Sequence, residues 1–436
     1  MEFKKFFFVV AVMALTAFTG QPPRKTKLQA RVESLAEKVE PKVIEWRHHL
    51  HQNPELSNRE YKTAEYIARH LQSLGLEVQT GVAKTGVVGI LKGGKPGPVV
   101  ALRADMDGLP VPERVQLPWA SKAKGEYNGA EVPVMHACGH DTHVAILMGV
   151  AEVLTQVKDE LPGTVKFIFQ PAEEGAPDGE EGGAKLMVKE GVLKNPDVDV
   201  IFGLHINSAT PIGHIAYKSG ATMAAANAFE ITIKGKQTHG SQPWSGIDPI
   251  VTAAQIINNA QTIVSRNLPL IKEAAVVSFG AIHGGVRNNI IPEEVKMVGT
   301  IRALDDEMQK TIFSRLQTIV EKTAESNGAQ AELVIKEGYP ITYNDVQLTA
   351  KMLPTLKDVV GAQNVHEIPA ITGAEDFSFF QQQVPGLYFF LGGMPPDTPR
   401  GQAPPHHTPD FYVDDSGMIY GVKAMSRLVV DYMTRK

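Results

Sequence analysis

Between Ala228 and Lys336 the chain runs through a strand, a long helix and two strands, then a second long helix and a last strand. That order constrains the fold more than any other feature. Ala228–Lys234 alternates apolar and polar residues with the period of a half-buried strand. Asp248–Arg266 reads as a helix, Ala274–Ala281 and Val295–Ala303 as strands, Asp305–Ser326 as a helix and Ala331–Lys336 as a strand. A β-α-β-β-α-β succession predicts a ferredoxin-like α+β domain, spanning residues 222–336.

The flanking sequence has another rhythm. Thr63–Leu74 repeats apolar residues at three and four until Gly75 stops it, as a helix does. Val87–Leu91 and Val99–Leu102 are short β-branched runs separated by Gly93, Gly94 and Pro96, hence a strand, a turn and a strand. Ala145–Val157 is helical, and Thr164–Phe169 and Val198–Leu204 read as buried strands; helices return over Val346–Val360 and Met418–Met433. Strands alternating with helices predict an α/β layer with a mainly parallel sheet flanked by helices. The expected organisation is one catalytic domain from residues 28–221 and 337–436, with the smaller domain inserted.

Composition narrows the class. With 436 residues, 43% hydrophobic and 21% charged, the chain has ample material for a buried core. Its net charge of -5 provides no basic excess for neutralising phosphates, which argues against nucleic acid as a partner. A single cysteine excludes an intramolecular disulfide framework. Residues 1–20 read as a secretory signal: Lys4 and Lys5 precede the apolar run Phe6–Phe18. An uncleaved anchor is the alternative. The expectation is an exported protein, periplasmic or secreted, without a stable membrane span once the signal is removed.

Four segments carry side chains suited to chemistry. Met135–His143 holds Cys138, His136, His140, His143 and Asp141 just ahead of a helix. Thiolate and imidazole suit zinc and similar ions, and Gly139 lets the backbone wrap Cys138 and His140 around one centre. An inert core thiol or a cysteine nucleophile are the alternatives for Cys138. After the apolar strand Thr164–Phe169, Glu173 and Glu174 enter a Gly- and Pro-rich loop, where one can bind a metal while the other faces an attacking water. A solvated acidic turn is the plainer reading, for which Glu180 and Glu181 are better candidates. His205 ends another apolar strand, where a hydrogen-bonded core histidine is commoner than a ligand. His406 and His407 lie in a proline-stiffened loop, a rigid ligand loop or a surface turn. Together, one thiolate, several imidazoles and paired carboxylates at strand ends suit a two-metal hydrolytic site.

These segments, with Arg47–Leu56, Leu102–Pro110, Asn289–Pro292 and Gly373–Phe377, resemble the dinuclear metallopeptidase family of aminoacylases and carboxypeptidase G. The similarity is greatest to its amidohydrolase branch, which includes hippurate hydrolases and auxin–amino-acid conjugate hydrolases. The resemblance implies two divalent ions (zinc or manganese, with cobalt or nickel as alternatives) held by Cys138, His140, Glu174, His205 and His407, with His406 as the runner-up. It implies Glu173 as general base, Asp107 as a residue that orients a ligand, and Asp105 as a supporting residue. His239 would polarise the scissile carbonyl and Asn289 would help bind the substrate, a small N-acyl amino acid. Dipeptidase or carboxypeptidase action is the alternative. The inserted domain would serve as lid and dimerisation surface, making a homodimer in which His239 can reach the neighbouring subunit's site. One departure concerns specificity: many branch members follow the His205-type ligand with an aromatic residue and proline, whereas this chain continues Ile206–Thr210.

Overall fold

The computed structural model describes residues 25–399 and 401–435. The expected export segment, residues 1–20, lies outside them. Among the described residues no helix is long and apolar enough to cross a membrane.

An eight-stranded sheet forms the larger layer. Its centre is four parallel neighbours, Pro162–Gln170, Lys95–Asp105, Val200–Pro211 and Gly386–Met394, in that spatial order. Toward one edge the sheet turns antiparallel through Gly86–Lys92 and Glu77–Val82. Only three residues separate these two strands, and so short a connection permits only an antiparallel pair. Ile215–Tyr217 and Val365–Glu367 complete the other edge. Helices cover both faces. Lys27–Gln52, His140–Thr155, Val346–Val360 and Met418–Thr434 bury Val43, Leu147, Met352 and Leu428 against one side. The shorter Gly183–Lys189 and Ser378–Gln381 cover the other, around Ile168, Phe380 and Tyr388.

The intervening segment builds a separate four-stranded antiparallel sheet in the order Ala275–Gly284, Glu294–Ala303, Ala225–Lys234, Gln330–Tyr339. Its own core includes Phe229, Ile231, Ile256, Met297 and Leu316. Phe229, Ile231 and Ile233 point inward from one strand face, as the alternation predicts. The two helices start where their caps dictate. Asp248 accepts from the amides of Ile250 and Val251 ahead of Pro249, and Asp305 accepts from Met308 N at 3.0 Å. The first is α-helical only over Pro249–Thr262 and widens into a π turn over Ile263–Asn267, which the periodicity does not reveal. The segment enters and leaves through Gly220–Met223 and Thr342–Asn344, paired as a short antiparallel ribbon. Neither strand of that ribbon is evident in the sequence.

Candidate metal centre

All four parallel strands point their C-terminal ends at one place, the usual location for a site in an open α/β sheet. Asp105 and Asp107 lie at the end of Lys95–Asp105, Glu173 and Glu174 just beyond Pro162–Gln170, and His205 within Val200–Pro211. His406 and His407 follow Gly386–Met394, and Cys138 precedes the helix His140–Thr155. Gly139 makes the last junction. Its φ of +98° reverses the backbone between Cys138 and His140, and a Cβ there would meet Ile206 Cγ2 at 2.4 Å.

The side chains converge as a donor set. Cys138 Sγ lies 3.3 Å from both His205 Nε2 and His407 Nε2. Glu174 Oε1 is 2.9 Å from His407 Nε2 and 3.9 Å from His140 Nε2, and Glu173 Oε2 is 3.8 Å from His140 Nε2. Each distal ring nitrogen explains which imidazoles remain available. His140 Nδ1 faces Asp107 Oδ1 at 3.2 Å and His205 Nδ1 donates to Ile206 O at 2.6 Å, so both present an Nε2 lone pair to the centre. His143 is fully used, with Nδ1 donating to Asp105 at 2.5 Å and Nε2 accepting from Ile206 N at 2.8 Å. His406 is used up as well: Nδ1 donates to Cys138 O at 3.1 Å and Nε2 accepts from Ser208 N at 3.2 Å. His407, held at φ +63°, therefore points into the centre while its neighbour braces the loop.

At this centre the buried atoms His140 Nε2 and Glu174 Oε1 make no hydrogen bond, the 2.9 Å approach of His407 Nε2 to Glu174 Oε1 being a contact without hydrogen-bond geometry. Orphaned buried polar atoms are costly, and two facing a thiol and further imidazoles fit cations as the missing partners. The electrostatics agree. Burial, then the charges of Glu375 and Glu174, push the Glu173 carboxyl well above the usual carboxylate range. Burial followed by Glu174 and Glu173 likewise raises the Cys138 thiol. Burial opposes an imidazolium at His140, but Asp105 and Asp107 outweigh it and lift that group to about 10. The pocket thus carries excess negative charge that bound cations would neutralise.

His239 and Asn289 sit apart from this cluster. They share a small ribbon, Thr238–His239 paired with Ile290–Ile291, and both are exposed. Neither lines the cleft beside Cys138, which is bordered by Glu173, Glu174, His205, Tyr339 and His407. His239 Nδ1 accepts from Ser241 N at 3.0 Å, so the neutral ring carries its proton on Nε2, where it can donate.

Residues 101–431 match peptidase family M20/M25/M40. The chain belongs to that family. It is 40% identical over 410 residues to thermostable carboxypeptidase 2 of Saccharolobus solfataricus, covering 94% of this chain and 100% of that one. It is 38% identical over 391 residues to N-acetylcysteine deacetylase of Bacillus subtilis, covering 89% and 96%. Among solved structures, the Bacillus subtilis YXEP protein, described as a dinuclear metal binding peptidase, superposes with a TM-score of 0.75 at 34% identity, covering 91% and 99%. As an M20/M25/M40 member the chain is a hydrolase, and its chemistry is metal-dependent amide hydrolysis.

Sequence reasoning assigned no role to Arg103, although a charge inside Val99–Ala104 is itself a signal. Completely buried, it donates to Gln170, Asp105, Glu375 and Asp376 at 2.7–3.0 Å. It thereby ties the floor of the M20-type site to Glu375 and Asp376, whose buried carboxylates also went without a role.

Proposed function

We propose that this chain hydrolyses N-acyl amino acids or related conjugates with two divalent ions. Zinc or manganese are the leading candidates, and cobalt or nickel suit the same mixed donors. The observation that carries the reading is the meeting of Cys138 Sγ, the Nε2 atoms of His140, His205 and His407, and Glu174 Oε1, with two of these atoms orphaned. When bound, the ions polarise the amide carbonyl and acidify the attacking water. Glu173 accepts the proton of that water and returns it to the amine leaving group. Asp107 holds both carboxylates in place, accepting from Glu173 N at 3.1 Å and Glu174 N at 3.0 Å while it orients His140. His239 donates from Nε2 to the developing oxyanion, and Asn289 beside it helps fix the substrate. Because both stand away from the Cys138 cleft of their own chain, the reading places them in the neighbouring subunit of a homodimer formed through the inserted segment. The basic and apolar start of the sequence supports export to the periplasm or medium.

The carboxypeptidase relative favours a second reading, exopeptidase action on unblocked dipeptides. A panel of N-acetyl and N-benzoyl amino acids beside free dipeptides, scored by amine release with and without a chelator, decides between them. Chelator-sensitive release from the N-acyl set is expected. Turnover of dipeptides alone would favour the exopeptidase, and full activity after exhaustive chelation would refute the metal-dependent mechanism.

A further inference from the structure

The turn that aims Glu173 is strained. Pro171 ends the preceding strand region, and Ala172 then adopts φ +52°, a conformation L side chains rarely take. Such a residue persists only where its surroundings over-determine it. Four hydrogen bonds do so here. Two come from Asp107, described above. A third joins Ala172 N to Glu60 Oε1 at 2.8 Å, and the fourth runs from the Tyr339 hydroxyl to Glu173 O at 2.6 Å.

Glu60 has no evident reason of its own to be where it is. It is completely buried and precedes the helix Tyr61–Ser73, yet its side chain does not cap that helix. Its oxygens instead take Ala172 N and, at 2.7 Å, the hydroxyl of Thr85. Tyr339 differs from the other braces in origin. It ends the strand Gln330–Tyr339, the return strand of the inserted segment, opposite Ala226. Its ring packs edge-on to Phe379 and lines both the Cys138 cleft and a second cavity beside Asn227, Gln309 and Phe313. Any shift of the inserted sheet against the larger layer would therefore pull on the Glu173 carbonyl.

We propose that Glu60 and Tyr339 are positioning residues for Glu173. They clamp the left-handed Ala172 turn, and Tyr339 makes the aim of Glu173 depend on where the inserted segment sits. This rests on the reading of Glu173 as general base.

Tyr339→Phe keeps the ring against Phe379 and deletes only the donor. Its kcat on an accepted N-acyl amino acid should fall about ten- to a hundredfold, with KM, metal content per chain and thermal midpoint close to parental. Glu60→Leu, which lacks an acceptor, should behave alike, whereas Glu60→Gln keeps an amide oxygen for Ala172 N and should recover most of the activity. The losses in Tyr339→Phe/Glu60→Leu should be less than multiplicative, because both act on one turn. A Tyr339→Phe enzyme with parental kcat overturns the proposal, and so does one whose loss tracks lost metal or a lowered midpoint. Glu173→Gln assayed in parallel separates the two ideas: if it stays active the general-base reading fails, and if it is dead while Tyr339→Phe is parental only the clamp fails.

Discussion

The Cys138 centre and the His239 ribbon embody opposite ways of holding a functional histidine. At the centre, loops from four parallel strands and one helix start converge, and the rings of His140 and His205 are each fixed by a bond from the far nitrogen. On the ribbon, His239 is exposed and, among the described residues, its ring is held only through Ser241, with a two-residue strand pair as its support. The first arrangement gathers its donors from one chain, two buried atoms without a hydrogen bond among them. The second presents a donor that does not line the Cys138 cleft of its own chain. A largely buried donor set braced by hydrogen bonds suits groups that must not move, and an exposed donor suits a contact made on assembly.

That contrast can be broken most forcefully at Glu173. Glu173→Gln should lower kcat by about two to four orders of magnitude while elemental analysis shows unchanged metal, because in the proposed mechanism the base is lost and the ligands are not. Metal loss in parallel with activity would instead place Glu173 among the ligands. A smaller effect is expected on the ribbon: His239→Ala should cost about a hundred- to a thousandfold in kcat. On the proposed homodimer, mixing His239→Ala with Glu173→Gln should then restore part of the activity, since a mixed pair would hold one site with both residues intact. Absence of recovery in proven mixed dimers would return His239 to its own chain's site.

The smallest effect lies behind the centre, where Arg47, His51 and Asp141 form a buried network. Burial disfavours the His51 imidazolium, but bonds to Asp141 and Glu113 outweigh it and raise the group to about 9. A group raised on folding stabilises fully below its unfolded value near 6.5, and that contribution is lost as the pH climbs through about 9. Denaturation midpoints should therefore fall between pH 6.5 and 9 in the parent more than in His51→Gln. Equal slopes would show that His51 is not charged in the folded chain.

Much of the site could be read before any coordinates. Cys138 and His140 are separated by one glycine, and the Glu173–Glu174 pair follows an apolar strand, so local spacing already marks them. Choosing between His406 and His407 was beyond local spacing, because adjacent residues share the same neighbours in sequence. The bonds of His406 to Cys138 O and Ser208 N, which span roughly two hundred residues or more, occupy both of its ring nitrogens, whereas His407 Nε2 faces Cys138 and Glu174. Arg103, Glu375 and Asp376 carried a weaker signal, since charges in apolar surroundings announce burial without naming a partner. The bonds from Glu60 and Tyr339 to the Ala172 turn carried none: nothing local reveals that a carboxylate 112 positions away braces a strained residue.

Periodicity alone determined the two architectures, because the repeats of a strand and a helix are properties of the local backbone and its buried face. Ligand identity by type was equally local, since thiolate, imidazole and carboxylate announce their chemistry wherever they stand. Which nitrogen of each ring is free, which of two neighbouring histidines points inward, and what aims Glu173 were decided only by tertiary structure. Those outcomes depend on hydrogen bonds between segments far apart in the chain, and such pairings exist only once the sheet has brought its strand ends together.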